Sequence, residues 1–209
     1  TQTIKLAVIT GKHAFDVPEF TRLWRRMGGV DVYEQDLENW AADVGHVRDQ
    51  YDALLFYHFY AEPPDEPSQR ALQALGETEQ GVIVMHHALL AFLHWPAWSA
   101  LVGIADRHFR YYHDQSVPVR IADPEHPITK GLAPWAMSDE TYTLAEPDAK
   151  SHVLLTTDHP QSLRALAWTR EHGRARVFVT ALGHGPEAYR DPSFQIILRR
   201  AIEWTARRL

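Results

Sequence analysis

The chain reads as an α/β protein built on a mainly parallel sheet, with an antiparallel excursion in its second half. The first half alternates strand-like and helix-like segments in the order βαβαβαβ, which calls for parallel strands joined by right-handed crossovers. The segment Ala53–Phe56 is nearly all apolar, as in a strand covered on both faces. The fourth strand-like run, Gly81–Met85, passes directly into His86-His87 and then into apolar Ala88–Phe92. A sharp strand-to-helix turn at the carboxyl edge of a parallel sheet is where such proteins hold reactive side chains in the open.

The elements follow in order. Ile4–Thr10 is a short apolar run stopped by Gly11, a first strand. Pro18–Met27 places Phe20, Leu23, Trp24 and Met27 at helical spacing, with Pro18 suited to a first turn and Gly28-Gly29 closing it. Val30–Tyr33 reads as the second strand, Ala41–Gln50 as a weak helix, Tyr51–Tyr60 as the third strand and Glu66–Leu75 as a helix before Gly81–Met85. After Trp95-Pro96-Ala97-Trp98 a short helix ends near Gly103. Phe109–Tyr112 and Val117–Ile121 then read as strands of an antiparallel insertion. Thr141–Leu144, Val153–Thr157, Leu166–Thr169 and Val177–Thr180 follow as strands, with a hairpin turn at Glu171–Arg174. Pro192–Arg208 closes the chain as a helix with Phe194, Ile197, Leu198, Ala201, Ile202 and Thr205 on one face. No repeat or linker interrupts the series, so residues 1–209 are expected to form one domain.

Composition narrows the function. A net charge of −6 and a pI near 6.1 argue against nucleic-acid or anionic-membrane partners, which favour a basic face. No apolar run approaches the ~20 residues that span a bilayer. The opening residues read as a strand rather than a leader, so a cytoplasmic setting is expected. There is no cysteine, which rules out thiol chemistry, and no G-x-S-x-G elbow. Histidine is abundant, at 13 residues, beside 7 Trp, 8 Tyr and 8 Phe. A small-molecule partner is expected, and a homo-oligomer is left open.

Histidines recur at the carboxyl edges of the expected strands: His13 after the first, His58 late in the third, His86 and His87 after the fourth, and His184 after Val177–Thr180. In a parallel sheet those edges converge on one cleft. Of His86 and His87, one is expected to face the cleft and its neighbour to support it by hydrogen bonding. His184 lies between Gly183 and Gly185, which allow unusual backbone angles and close ligand approach. Glu140 begins a strand, and a carboxylate beside an imidazole can orient it, accept a proton or ligate a metal. His86, His184 and Glu140 are therefore the candidate catalytic residues, and the same donors suit a divalent metal such as zinc. His13, His58, His87, Trp95 and Tyr57 are candidate substrate contacts, the aromatic rings by stacking on a sugar. For His58, a buried histidine among aromatic rings is the favoured reading. His113 has no evident partner in the sequence.

Several segments, in order, resemble the ThuA-like family of trehalose-utilisation proteins. They are His86–Phe92 with Trp95-Pro96-Ala97-Trp98; His126–Leu132; Asp139-Glu140-Thr141-Tyr142; and Thr180-Ala181-Leu182-Gly183-His184-Gly185. The resemblance implies a flavodoxin-like three-layer sandwich of the class I glutamine amidotransferase-like kind. In that superfamily the turn after the fourth strand presents a nucleophilic cysteine. Here the turn carries His86-His87, so glutaminase chemistry is not expected. The resemblance implies a role in the use of trehalose or an oxidised keto-disaccharide, and the His-rich cleft is expected to make the protein an enzyme of acid/base isomerisation or hydrolysis. The alternative is a non-catalytic sugar-binding or regulatory protein on the same fold.

Overall fold

The computed structural model describes residues 2–209. Among them the strands are β1 (Ile4–Gly11), β2 (Val30–Asp36), β3 (Ala53–His58), β4 (Gly81–Met85), β5 (Arg110–Ile121), β6 (Trp135–Thr143), β7 (His152–Thr156), β8 (Ala165–His172) and β9 (Ala175–Thr180). The helices are α1 (Val17–Arg26), α2 (Leu37–Ala42), α3 (Glu66–Gln73), α4 (Pro96–Val102), α5 (Pro186–Arg190) and α6 (Pro192–Thr205). The strands form one sheet of nine in the order β2-β1-β3-β4-β9-β8-β7-β5-β6. Pairing is parallel from β2 through β9 and antiparallel from β9 onward.

The expected α/β architecture holds, and its reasons are local. β3 and β4 are buried at every position, which is why they read as continuous apolar runs. Each face of the sheet carries its own core. Leu6, Val8, Leu55, Ile83 and Phe178 pack with α1 and α6 on one face; Ala7, Ile9, Leu54, Phe56, Val84 and Val179 pack with Trp40, Leu72 and Trp98 on the other. α1 starts where the Asp16 carboxylate accepts the Glu19 N–H, and α6 starts where Asp191 does the same for Phe194, each with proline in the first turn.

Four sequence expectations shift. The weak helix expected at Ala41–Gln50 lies earlier, at α2: Asp36 caps it through Asn39 N–H, Leu37 and Trp40 are buried, and Asp43, Gly45 and His46 all take positive φ, which a helix cannot continue through. The apolar run after β4 is not an α-helix. Residues His86–Leu90 form a 3₁₀ turn, ended at Phe92 by a φ of 49°. The carbonyls of Leu89, Ala91 and Phe92 accept from the buried guanidinium of Arg107, whose pKa burial lowers to about 10. The two strands expected at Phe109–Tyr112 and Val117–Ile121 are one bulged strand, β5. Its partner β6 begins at Trp135, ahead of the expected Thr141. No helix among the described residues is long and apolar enough to cross a membrane.

Candidate active site

β1, β4 and β9 run parallel, directly or through β3, so their carboxyl ends bring His13, His86, His87 and His184 together. β6 supplies Glu140 from the far side. A cavity of about 290 Å³ is lined by His13, His87, His113, Glu140, Tyr142 and His184, with Phe59, Leu90, Phe109 and Tyr111 as its apolar wall. A larger hollow of about 670 Å³ beside α4 holds His94, His108, Asp106 and Asp148, and its one imidazole–carboxylate contact, His108 with Asp106, is solvent-exposed.

His86 and His87 have different jobs. His86 sits at φ 53°, a left-handed conformation uncommon outside glycine, and is fully buried. Its Nδ1–H donates to the Ala181 carbonyl at 2.7 Å, because a carbonyl can only accept. That bond places the Nδ1 proton and turns Nε2 toward the polar cluster. The Tyr142 hydroxyl lies 2.6 Å from this Nε2, and His184 Nδ1 and Glu140 Oε1 lie 3.2 and 3.3 Å from it. His86 thus stands behind the cavity lining and presents a single nitrogen to the polar cluster.

His87 is the neighbour that lines the cavity. Its Nε2–H donates to the Tyr57 carbonyl at 3.0 Å, and its ring stacks on His13 with centroids 3.8 Å apart and planes 16° apart. The Nδ1 atoms of His87 and His13 are buried and have no partner. Burial first, then the charge of His86, holds both rings below the ordinary imidazole pKa, His87 well below it. Both are neutral at pH 7.

Glu140 is the hinge of the cluster. Its side chain is 7% exposed, with Oε1 3.5 Å from His184 Nδ1 and Oε2 2.7 Å from His113 Nδ1. Burial alone would raise its pKa; the hydrogen bond and charge of His86, with the charge of His184, outweigh that and leave it below the usual carboxylate value. His184 is held low by burial and then by His86. Next along the strand, Asp139 accepts the backbone N–H groups of Gly183 at 2.7 Å and His184 at 2.9 Å. Burial pushes its carboxyl up, against those same hydrogen bonds. Gly183 has φ 115°, and a Cβ there would meet Met85 Cε at 2.4 Å, so only glycine brings this loop so close to β4. The ligand-capable atoms of His86, Glu140 and His184 lie within 4.8 Å of one another.

The structure brings His13, His87, His184 and Glu140 to the cavity, while His86, expected as a catalytic residue of the cleft, is fully buried behind the lining. Other expectations fail on position. His58 is fully buried in an aromatic box of Phe56, Tyr60, Phe92 and Trp98, away from the cavity lining. Its side chain points to the face of β3 opposite Tyr57, as strand alternation requires. Tyr57 is also fully buried and cannot stack on a ligand. Its hydroxyl donates to the Gly183 carbonyl at 2.8 Å, so it supports the His184 loop from below. Trp95 packs edge-on against Phe92 and is not part of the wall. The aromatic wall instead comes from Phe59, Phe109 and Tyr111, and His113 joins through Glu140. Sequence reading missed these because an irregular strand hides their alternation.

The family model for ThuA, trehalose utilisation, matches residues 9–205. The chain belongs to the ThuA family. No curated protein matches it. Among solved structures, a ThuA-like protein from Parabacteroides merdae is 21% identical, with a TM-score of 0.78 over 98% of this chain and 90% of that one. A cytoplasmic protein from Salmonella typhimurium is 9% identical, TM-score 0.68, over 97% and 99% of the two chains. A glutamine amidotransferase from Thermotoga maritima is 8% identical, TM-score 0.57, over 99% of each. These likenesses show the amidotransferase-like fold. In this ThuA chain the turn after β4 carries imidazole in place of any thiol, since the chain has no cysteine.

Proposed function

We propose that this ThuA-family protein is an enzyme of trehalose or keto-disaccharide metabolism that works by proton transfer. The observation that carries the reading is the contact of one ionised carboxylate, Glu140, with His86 and His184 at the rim of an aromatic-walled cavity. His184 is neutral at pH 7 and part-exposed, so it can take a proton from a bound sugar. Glu140 then stabilises the imidazolium that forms, and His86, locked by Ala181, sets the position of both. Phe59, Phe109 and Tyr111 offer apolar surface to a sugar ring. His13 and His87 line the same cavity as a stacked, neutral pair of rings. The cavity lies at the lower end of the ~300–1,000 Å³ typical of small-molecule sites, which suits enclosure of one ring of a disaccharide.

A second reading of the same atoms assigns a divalent metal, zinc, to His86 Nε2, His184 Nδ1 and Glu140 Oε1; His184 is then a ligand rather than the base. A tetrahedral ion with bonds of ~2.0–2.1 Å holds its ligand atoms ~3.3–3.4 Å apart. The spacings here are 3.2, 3.3 and 3.5 Å. The Nδ1–H bond to Ala181 is the outer support that metal-bound histidines need. When bound, the metal would polarise a carbonyl oxygen, which suits a keto-sugar. The Salmonella relative described as cytoplasmic supports a cytoplasmic setting.

The test is elemental analysis of the purified protein together with turnover of trehalose and keto-trehalose. Turnover that Glu140→Gln abolishes supports the reading. Sugar binding without turnover selects a non-catalytic sugar-binding or regulatory protein, and neither binding nor turnover rejects both.

A further inference from the structure

β5 and β6 pair in register from Arg110 opposite Thr143 to Tyr112 opposite Thr141, and again from Gln115 opposite Asp139. Between those points His113 and Asp114 on β5 face the single residue Glu140 on β6. This is a β-bulge, and it falls opposite the carboxylate of the site. Asp114 carries the bulge at φ 54°, a conformation that aspartate tolerates better than most residues. A bulge bends its strand and re-aims a side chain. Here His113 is the side chain that meets the carboxylate, with Nδ1 2.7 Å from Glu140 Oε2. Its ring also lies beside His184, with centroids 5.6 Å apart.

We infer that the β5 bulge exists to set His113 as the positioning residue of Glu140. His113 Nδ1 lies 2.7 Å from the outer carboxylate oxygen, and that contact turns the inner oxygen toward His86 and His184. The carboxylate is nearly buried, while His113 is 58% exposed. Its contribution is therefore orientation rather than packing, and its removal leaves the core intact. Without it, Glu140 has no partner on Oε2 among the described residues and is free to rotate about its terminal bond. The inference rests on the metal assignment above and adds to it a residue outside the ligand set.

The experiment is titration of the metal-free protein with cobalt(II), read by its visible absorption, for wild type, His86→Ala, His113→Ala and His113→Asn. Asparagine places an N–H donor close to where Nδ1 lies. Loss of a group that orients a metal ligand typically weakens binding ~10–100-fold. That is the shift expected for His113→Ala, with a changed spectrum, an unchanged melting temperature and recovery in His113→Asn. Cobalt uptake by His113→Ala equal to wild type, with the same spectrum, overturns the inference while the metal assignment stands. Cobalt uptake that His86→Ala leaves untouched, or no uptake by wild type, overturns the metal assignment and the inference with it.

Discussion

Two fully buried histidines, His58 and His86, sit on neighbouring strands of one sheet and show what burial does and does not mean. His58 lies in a box of Phe56, Tyr60, Phe92 and Trp98, and neither of its ring nitrogens has a partner. Burial drives its pKa down to about 3. It serves as a neutral, flat, space-filling ring. His86 is buried to the same degree, yet each of its nitrogens is engaged: one by a carbonyl, the other by a tyrosine, a carboxylate and a second imidazole. Depth is equal in the two places. The difference is in polar partners, and those make one ring a filler and the other part of a site.

The widest separation between the two regions is in rate. Glu140→Gln and His184→Ala should each lower turnover of a keto-disaccharide by ~10²–10⁴-fold, the usual contribution of a proton-transfer group. His58→Phe should leave it unchanged. Initial rates on purified variants decide this, and a rate loss in His58→Phe would break the contrast.

Stability should separate them in the same sense. His86→Ala strips the Ala181 carbonyl and the Tyr142 hydroxyl of their partner, at a cost of ~1–3 kcal/mol in denaturant unfolding. That exceeds the small cost expected of a residue on an open turn, because this turn is buried. His86→Asn should recover part of the loss, since asparagine accepts the left-handed backbone at this position. His58→Phe should unfold no more readily than wild type at pH 7, because it replaces unpaired polar atoms with carbon.

Acid provides a finer test. His58 takes up its proton at about 3 in the native state and near 6.5 when unfolded. Between those values the unfolded chain binds a proton that the native chain does not, so stability falls as pH drops below ~6.5. The full slope for one group is ~1.4 kcal/mol per pH unit. His13, His87 and His184 are also depressed and add to the same trend, whereas raised Asp139 opposes it at lower pH. His58→Phe should flatten the pH–stability curve in this window, measured by melting at a series of pH values. A curve parallel to wild type would mean that His58 is protonated in the folded protein.

The smallest effect concerns the wall. Phe109→Ala should weaken sugar binding in calorimetry, and Trp95→Ala, which packs on Phe92 outside the cavity, should not.

Much of this arrangement is legible in the chain itself. Parallel strands bury both faces, so Ala53–Phe56 and Gly81–Met85 announce themselves as apolar runs, and the residues that follow them must lie at one edge. That logic reaches His13, His87 and His184 without coordinates. It fails where regularity fails. The bulge in β5 disguises Tyr111 and His113, and the positive φ angles around Asp43–His46 displace α2. It also mistakes a strand residue for its neighbour: Tyr57 and His58 differ by one position and therefore by a whole face of the sheet. The tautomer of His86 depends on the Ala181 carbonyl, 95 residues away, and no local pattern encodes it.

Asp139 and Glu140 are consecutive, yet one grips the backbone of the Gly183-His184 loop and the other meets the imidazoles. β6 thus ties the carboxylate to the His184 loop, while the Ala181 carbonyl holds His86 at the end of β4 and Tyr142 joins it to β6. The site is a seam, closed from both sides, between the parallel and antiparallel parts of one sheet.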